Sequence, residues 1–321
     1  MSLPTLASVG SALASLTLQR ALSLTANRLS RSRVRMETGL QDPRAEAECL
    51  VSYALSVPVE RLVRYRRRPL TGRQRRRLAW LIALRTRRRL PLPYLVGEAF
   101  FAGRSFHVDR RVLIPRSLIE NILDDSEGLA LWMDPERLGR ILDLGTGSGC
   151  LAITLALAYP GARVDGSDIC PRALAVADIN RRRFRLGGDR LRLIRSDLFQ
   201  NLPRECYDLI VANPPYVAPG EYASLPREYR HEPGRALRAG EGGLALVAAI
   251  LRQAADHLAP GGWLICEVGD RGQETLLARW PDFPGEWVHF HFGRSGVFVI
   301  DRDSLVRWRG EGWHGDEGVQ G

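Results

Sequence analysis

The chain has 321 residues, enough for two domains or for one large domain with an extension. Hydrophobic residues make up 45% and charged residues 26%, as in soluble globular proteins, and no apolar run reaches the roughly 18 residues that a membrane helix needs. The net charge of +10 comes from arginine alone, since the sequence contains no lysine, and the five scattered cysteines lack metal-ligand spacing. These features exclude a membrane-spanning protein and predict reduced thiols, no metal and a cytoplasmic location.

Residues 1–95 are predicted to form a helical domain. The first 36 residues contain no Asp or Glu and are rich in Ser, Leu and Arg, a composition that also fits a mitochondrial transit peptide. Because the leucines of 11–29 recur at helical spacing, we favour a first domain helix there. Further helices are predicted at 45–55 and from the N-cap Thr71 to about Arg89.

Thirteen of the residues from Arg61 to Arg89 are arginine. In a chain without lysine they could form an ordinary solvated helix face. They could also form a phosphate-binding surface that acts without sequence preference and weakens steeply with salt. No aromatic stacking pattern is evident among them, so base recognition is not predicted.

The composition changes after the helical domain. Residues 96–118 predict a β-hairpin linker, and 119–301 predict a second, α/β domain in which strands alternate with helices around a doubly wound, mainly parallel sheet. The final residues, 302–321, are rich in glycine and charge and predict a flexible tail. The predicted strands are 140–144, 162–167, 190–195, 207–212, 262–267, 286–291 and 296–300. The predicted helices of this domain are 150–158, 171–184, 243–258 and 272–279. The last two strands lack an intervening helix, which predicts a hairpin and one antiparallel strand.

A glycine-rich loop closes the first strand of this sheet. Its glycines stand at every second position, where they let the backbone turn sharply and approach a ligand. The spacing is not the dinucleotide fingerprint, because Cys150 occupies the place of its last glycine. An acidic residue two positions ahead suits a ligand with a cationic amino group and no pyrophosphate, such as S-adenosylmethionine. The candidate cofactor-binding residues of this segment are Asp143, Gly145, Thr146, Gly147, Ser148 and Gly149.

Two further aspartates end the next two strands. Asp168, followed by Ile169, is placed to accept both ribose hydroxyls of a nucleoside. Asp197 could accept from an adenine amine, with Leu198 and Phe199 supplying an apolar sandwich. Each aspartate alone could be a helix cap or a loop residue. Three carboxylates at consecutive strand ends favour a ligand site at the carboxyl edge of the sheet.

The tetrapeptide Asn213-Pro214-Pro215-Tyr216 follows the fourth strand. Two prolines can neither continue a strand nor donate to a sheet, and a residue before proline is biased to an extended conformation. The result is a stiff loop that holds an amide oxygen and backbone carbonyls in place, which suits a substrate gripped through N–H groups. An ordinary exit from a strand is the alternative for the tetrapeptide alone.

Together these motifs resemble, over 140–300, the class I S-adenosylmethionine-dependent methyltransferases, a Rossmann-like fold with a seven-stranded sheet, in particular those that methylate planar amino groups. Pro115-Arg116 and the helical N-terminal domain are similar to the protein glutamine methyltransferases. The segments 98–116, 225–233 and 239–244 resemble the branch that acts on the third protein of the large ribosomal subunit. Alternatives that stay open are the branch acting on release factors, amine methylation of a nucleic-acid base, and a non-catalytic ribosome-assembly factor that binds rRNA.

The resemblance implies roles for these residues. The catalytic set is Asn213, Pro214, Pro215 and Tyr216. The side-chain oxygen of Asn213 and the carbonyl of Pro214 would accept the two amide N–H groups of a glutamine, and Tyr216 would pack against the amide plane. Asn213 would also border the cofactor. The expected partners are a large-subunit ribosomal protein as substrate and rRNA at the Arg-rich domain, with no membrane. Glu267 is expected to orient the loop and His231 to be structural.

Overall fold

The computed structural model describes residues 16–36, 42–124, 128–239, 243–293 and 295–311. The chain forms two compact units, one of Met1–Gly97 with Pro226–His231 and one of Glu98–Leu225 with Glu232–Gly321. Within the described ranges, no helix is both long and apolar enough to cross a membrane. The start of the predicted first helix, residues 11–15, lies outside those ranges.

Helices form the first unit and pack around leucines, including Leu18, Leu29, Leu50 and Leu81. The predicted N-cap Thr71 is confirmed, because its hydroxyl accepts from the Gln74 N–H at 3.2 Å while the Gln74 side chain accepts from the Thr71 N–H at 2.9 Å. The α-helices are α1 Leu18–Ser32, α2 Pro43–Leu55, α3 Gly72–Arg87 and α4 Leu92–Val96, with a 3₁₀ helix at Val59–Tyr65.

A fully buried arginine joins the parts of this helical unit. Arg85 of α3 donates through Nε to Glu46 Oε1 of α2 at 2.5 Å and through Nη2 to the Arg35 carbonyl. Glu228, from the segment Pro226–His231, lies 3.6 Å from Arg85 Nη1 and accepts from the Arg35 N–H at 3.0 Å. Buried charges are tolerated when paired, and removing one partner is costly. The ion pairs therefore anchor Pro226–His231 in the unit.

The second unit begins with an antiparallel hairpin of β1 Glu98–Phe101 and β2 Arg104–His107, which confirms the predicted hairpin. A seven-stranded sheet follows in the order β5-β4-β3-β6-β7-β9-β8. Its strands are β3 Arg140–Leu144, β4 Arg163–Asp168, β5 Leu191–Arg195, β6 Tyr207–Ala212, β7 Leu258–Glu267, β8 Glu286–Trp287 and β9 Val297–Asp301. Its α-helices are α5 Ile119–Asp124, α6 Cys150–Ala158, α7 Pro171–Arg183, α8 Pro219–Ser224, α9 Ala245–His257, α10 Gly272–Arg279 and α11 Arg302–Glu311.

The sheet confirms the predicted mixed architecture. Neighbouring strands from β5 to β7 pair in parallel, and β9 is antiparallel to both β7 and β8. The predicted strand 286–291 is too long, since β8 comprises Glu286 and Trp287, with one further hydrogen bond from the Val288 N–H to the Val297 carbonyl of β9 at 2.9 Å. Beyond them Phe290 and Phe292 stack with ring centroids 5.3 Å apart, so this stretch uses its aromatic residues in local contacts.

The predicted flexible tail 302–321 is wrong for 302–311, which form α11. Leu305 is fully buried, and Trp308 packs edge-on against Trp280 and Phe283 with centroids 5.9 and 5.2 Å apart. Burial of these two apolar side chains, three residues apart on one helix face, outweighs the unfavourable composition of the segment. Residues 312–321 lie outside the described part of the chain.

Candidate active site

Strand register brings the candidate residues to one edge of the sheet. Leu144 of β3 pairs with Ser167 of β4 and with Ala212 of β6, and Ala212 pairs with Cys266 of β7. These strands run parallel, so their carboxyl ends are level and about 4.8 Å apart. The residues that follow the paired positions, Gly145, Asp168, Asn213 and Glu267, therefore line one continuous edge.

The glycine loop has the open backbone that the sequence predicts. Gly145, Gly147 and Gly149 have φ angles of 81°, 57° and 81°, in the left-handed region that favours glycine. The N–H groups of Gly145 and Thr146 both donate to the Ser167 carbonyl at 2.8 Å, which fixes the loop to β4. No atom lies within 4 Å of a Cβ added at Gly145, so the loop faces open space at that point.

Asp143 lies buried beneath this loop. Its Oδ2 accepts from Thr146 Oγ1 at 2.6 Å and from the Ala152 N–H at 3.0 Å. Burial raises the pKa of Asp143 to about 7, although both hydrogen bonds act in the opposite direction. A cationic group beside this carboxyl would favour its ionised form.

Asp168 ties the second strand end to the loop. Its Oδ2 accepts from the Gly147 N–H at 3.0 Å and its Oδ1 from the Cys170 N–H at 2.8 Å. Burial raises the pKa of Asp168, against the lowering effect of these two N–H groups and of Arg235. The neighbouring Ile169 is 51% exposed, an apolar side chain presented at the strand end where a nucleoside is expected.

The third strand end contains an unusual backbone conformation. Leu198 has a φ of 45°, a left-handed conformation that costs free energy in a residue other than glycine. Ser196 stabilises the turn, because its Oγ donates to the Leu198 carbonyl at 2.7 Å and accepts from the Asn201 N–H at 3.0 Å. The Asp197 side chain is exposed beside it.

The prediction that Phe199 packs against the adenine base is wrong. This side chain is 3% exposed and stacks on the His257 ring with centroids 4.6 Å apart. The left-handed turn at Leu198 redirects the chain, so that Phe199 enters the core. Ile169 and Leu198 are the apolar side chains left at the edge.

A buried carboxylate holds the Asn213–Tyr216 loop. The Tyr216 hydroxyl donates to Glu267 Oε1 at 3.1 Å. Glu267, 1% exposed, accepts at Oε2 from Ser117 Oγ at 2.6 Å and from the Leu118 N–H at 2.8 Å. A Cβ added at Gly269 would lie 2.7 Å from the Tyr216 ring, so only glycine leaves room for the ring there. Asn213 itself is half-buried at the start of the loop.

Sequence reasoning missed Ser117, Gly269 and the clamp on Arg116. Glu232, which is buried, accepts from Arg116 Nη1 at 2.9 Å and Nη2 at 3.0 Å, and from the Ile114 N–H at 3.1 Å. This bidentate pair fixes the segment after the hairpin to the chain that follows the Asn213 loop. The sequence feature that could have indicated this ion pair is the acidic Glu232, which lies in the segment 225–233 that resembles the glutamine methyltransferases.

Other polar candidates have structural environments. Burial raises the pKa of Cys150 to about 12, which leaves a neutral thiol rather than a nucleophile. His231 Nε2 lies 2.8 Å from the Arg88 carbonyl inside the helical unit, a structural contact as expected. The described ranges contain no group of three His, Cys, Asp or Glu residues able to hold a metal ion.

The chain is similar in sequence to known methyltransferases. Residues 121–249 match the model of the methyltransferase small domain, and residues 21–97 match that of the PrmC N-terminal domain. A ribosomal protein uL3 glutamine methyltransferase of Bordetella pertussis is 41% identical over 290 residues, covering 90% of this chain and 96% of the relative. The chain belongs to this methyltransferase family. The resemblance drawn from the motifs is thereby confirmed.

Two further proteins are similar to this chain. A ribosomal protein uL3 glutamine methyltransferase of Xanthomonas campestris pv. campestris is 42% identical over 261 residues, covering 81% of this chain and 83% of the relative. The crystal structure of a methyltransferase from Pyrococcus furiosus is 18% identical with a TM-score of 0.44, and the match covers 61% of this chain and 88% of that one.

Proposed function

We propose that this protein transfers a methyl group from S-adenosylmethionine to the side-chain amide nitrogen of a glutamine in ribosomal protein uL3. The observation that carries the proposal is the Asn213–Tyr216 loop, fixed through Glu267 at the sheet edge beside the glycine loop. Family membership at 41% identity over nine-tenths of the chain supports the substrate assignment.

The residues at the edge fit S-adenosylmethionine, which supplies a methyl group on a positively charged sulfur. Asp143 is buried without a cation, and its raised pKa suits a site that becomes charged when an ammonium group binds. Asp168 and Asp197 provide oxygen acceptors for ribose hydroxyls and the adenine amine. Ile169 and Leu198 offer apolar surface for the base. Ser148 and Thr146 are buried in the loop and complete its wall.

The substrate nitrogen is a poor nucleophile, because its lone pair is delocalised into the amide carbonyl. The side-chain oxygen of Asn213 and the carbonyl of Pro214 would accept its two N–H groups and orient the nitrogen. As the methyl group moves from sulfur to nitrogen and positive charge develops there, these acceptors are already in place and need no reorganisation, and one N–H proton leaves after the transfer. A neutral oxygen at position 213 also avoids burying an unpaired carboxylate. Pro215 stiffens the loop, and the Tyr216 ring packs against the amide plane.

The proposal also covers the binding partners of the protein and its location in the cell. The helical unit would recognise the substrate in its ribosomal context, and its arginines would contact rRNA in an assembling large subunit. The enzyme would act in the cytoplasm, away from membranes.

The test is incubation of the protein with labelled S-adenosylmethionine and separated ribosomal proteins, release factors and RNA. Label in uL3 is the expected result. Label in a release factor would support the other branch of the glutamine methyltransferases, and label in RNA would overturn the assignment to protein.

A further inference from the structure

Positive charge is concentrated in one part of the sequence. Residues 1–97 hold nineteen arginines and five acidic residues, a net charge of +14, whereas residues 98–321 hold twenty-seven arginines and thirty-one acidic residues, a net charge of −4. The absence of lysine affects both parts alike, so it does not explain the asymmetry. The helical unit therefore carries all of the excess charge, as a protein with a polyanionic partner does.

Helix α3 displays three of these arginines and a tryptophan on one face. Arg73, Arg76, Trp80 and Arg87 are all exposed and stand three, four and seven residues apart. This spacing places them in one stripe, which we call the α3 face, about 21 Å long at 1.5 Å per residue. The opposite side of the helix, with Leu78, Leu81 and Arg85, is buried.

Among the residues that the structure describes, no carboxylate forms an ion pair with Arg73, Arg76 or Arg87. Arg85 and Arg89, by contrast, are paired inside the unit. The stripe thus keeps three guanidinium groups available for an external anion.

Trp80 lies in the middle of the stripe and is 59% exposed. Other exposed aromatic rings of the unit are covered by arginine: Arg77 lies 4.6 Å from the Tyr53 ring centroid and Arg68 lies 5.9 Å from that of Tyr65. No such neighbour stacks on Trp80 in the described ranges. An uncovered indole between two arginines of the stripe differs from the sequence expectation that no aromatic stacking pattern accompanies the arginines.

We propose that the α3 face binds an unpaired stretch of RNA, with the arginines on phosphates and a base stacked on Trp80. Arginines that follow a backbone, combined with an aromatic platform, are the chemistry of single-stranded nucleic-acid binding. A membrane-surface helix would turn a broad apolar face outward, whereas the apolar face of α3 is packed in the core. A basic ribosomal protein would be repelled by this surface. The identity of the RNA, an assembling ribosomal particle, rests on the proposed function.

The direct test measures binding of a fluorescently labelled single-stranded oligoribonucleotide to the full-length protein over a range of salt concentrations. Trp80→Ala should weaken binding about 5- to 100-fold, while Trp80→Phe, which keeps a stacking ring, should restore most of it. Arg73→Glu with Arg76→Glu should weaken binding further and lower the salt slope by about 0.7 for each phosphate that the protein no longer neutralises.

Matched controls separate this surface from general charge effects. Arg204→Glu makes the same charge reversal as the single variant Arg73→Glu, but at an exposed arginine of the other unit, and should leave RNA binding unchanged. A base-paired RNA of equal length should bind with little dependence on Trp80. Thermal unfolding of each variant confirms that the exposed substitutions leave the fold intact.

The proposal is overturned if the wild type binds RNA no better than the double arginine variant, or if vesicles rich in anionic lipid bind more tightly than RNA. It is also overturned if Arg204→Glu weakens RNA binding as much as the α3 changes. Methylation of isolated uL3 is measured separately. Failure to methylate uL3 would count against the proposed function and leave the RNA-binding result standing.

Discussion

The two edges of the central sheet differ in whether their charged side chains form ion pairs. At the amino edge, Arg192 donates to both oxygens of Asp165 at 2.8 and 2.7 Å, the Tyr207 hydroxyl donates to Asp165 Oδ2 at 2.8 Å, and Arg140 pairs with Glu205. At the carboxyl edge, Asp143 and Asp168 accept only from the protein's own N–H and O–H groups. Within the described ranges, neither forms an ion pair.

The difference separates a structural network from a binding site. Charged side chains that pair with one another stabilise the fold and need no ligand. The amino edge does contain a cavity, lined by Arg140, Asp165, Arg192 and Tyr207, but these charged side chains are already paired. Carboxyls that have raised pKa values and form no ion pair within the described ranges are suited to a cationic or hydroxyl-bearing ligand. The cavity at the amino edge is therefore no guide to the chemistry.

Asn213→Ala tests the carboxyl edge with the largest expected effect. Turnover should fall by about 100-fold or more, because a preorganised acceptor for the developing charge is removed. Affinity for S-adenosylmethionine, measured by calorimetry, should stay within a few-fold of wild type. A parallel loss of cofactor affinity and turnover would contradict the assigned role.

Asp165→Ala tests the amino edge. The change leaves Arg192 and the buried Tyr207 hydroxyl without their acceptor, so the free energy of unfolding should fall by about 2 kcal/mol. The kcat of the folded enzyme should be unchanged. Asp189→Ala, an exposed residue of the same cavity, is the matched control and should change stability by less than about 0.5 kcal/mol. A lower kcat of fully folded Asp165→Ala would contradict the view that the amino edge is structural and only the carboxyl edge binds ligands.

Tyr216→Phe and Glu267→Gln test whether the hydrogen bond between these residues positions the loop. Each should lower kcat about 5- to 10-fold, the equivalent of one hydrogen bond, with little change in the KM for S-adenosylmethionine. The double variant should lose little more than either single one, since Tyr216→Phe removes this hydrogen bond and Glu267→Gln replaces its carboxylate acceptor with an amide. Fully additive losses would show that the two residues act independently.

The pH dependence of cofactor binding is the smallest expected effect. The pKa of Asp143 in the free enzyme is about 7, so its carboxyl is protonated at pH 6 and must lose a proton when an ammonium group binds. Affinity should therefore rise several-fold from about pH 5.5 to about pH 6.5, below the range in which an α-amino group titrates. Asp143→Asn should bind weakly at every pH without this rise. A persisting rise in that variant would assign the proton to another group.

Local chemistry made much of this edge predictable. The prolines at 214 and 215 end β6 whatever the packing, and the glycines at 145 and 147 permit the left-handed backbone that the structure shows. Contacts distant in sequence were not predictable. Tyr216 and Glu267 are 51 residues apart, and their meeting depends on β6 lying next to β7.

The direction in which a side chain points was the second feature that could not be predicted from the sequence. Phe199 turns inward because Leu198 is left-handed, and a sequence gives no sign of that backbone angle in a leucine. Trp80 follows the helical period, but its exposure depends on which face of α3 the other helices cover. Leu305 and Trp308, three residues apart, were a helical signal that the glycine-rich composition of the terminus obscured.

Peptide mass spectrometry of uL3 after reaction with the wild-type enzyme and with Asn213→Ala tests the central claim most directly. The proposed function predicts one methyl group on the side-chain nitrogen of a glutamine in the wild-type reaction and almost none with the variant. Methylation on another type of residue, or equal methylation by both proteins, would contradict it.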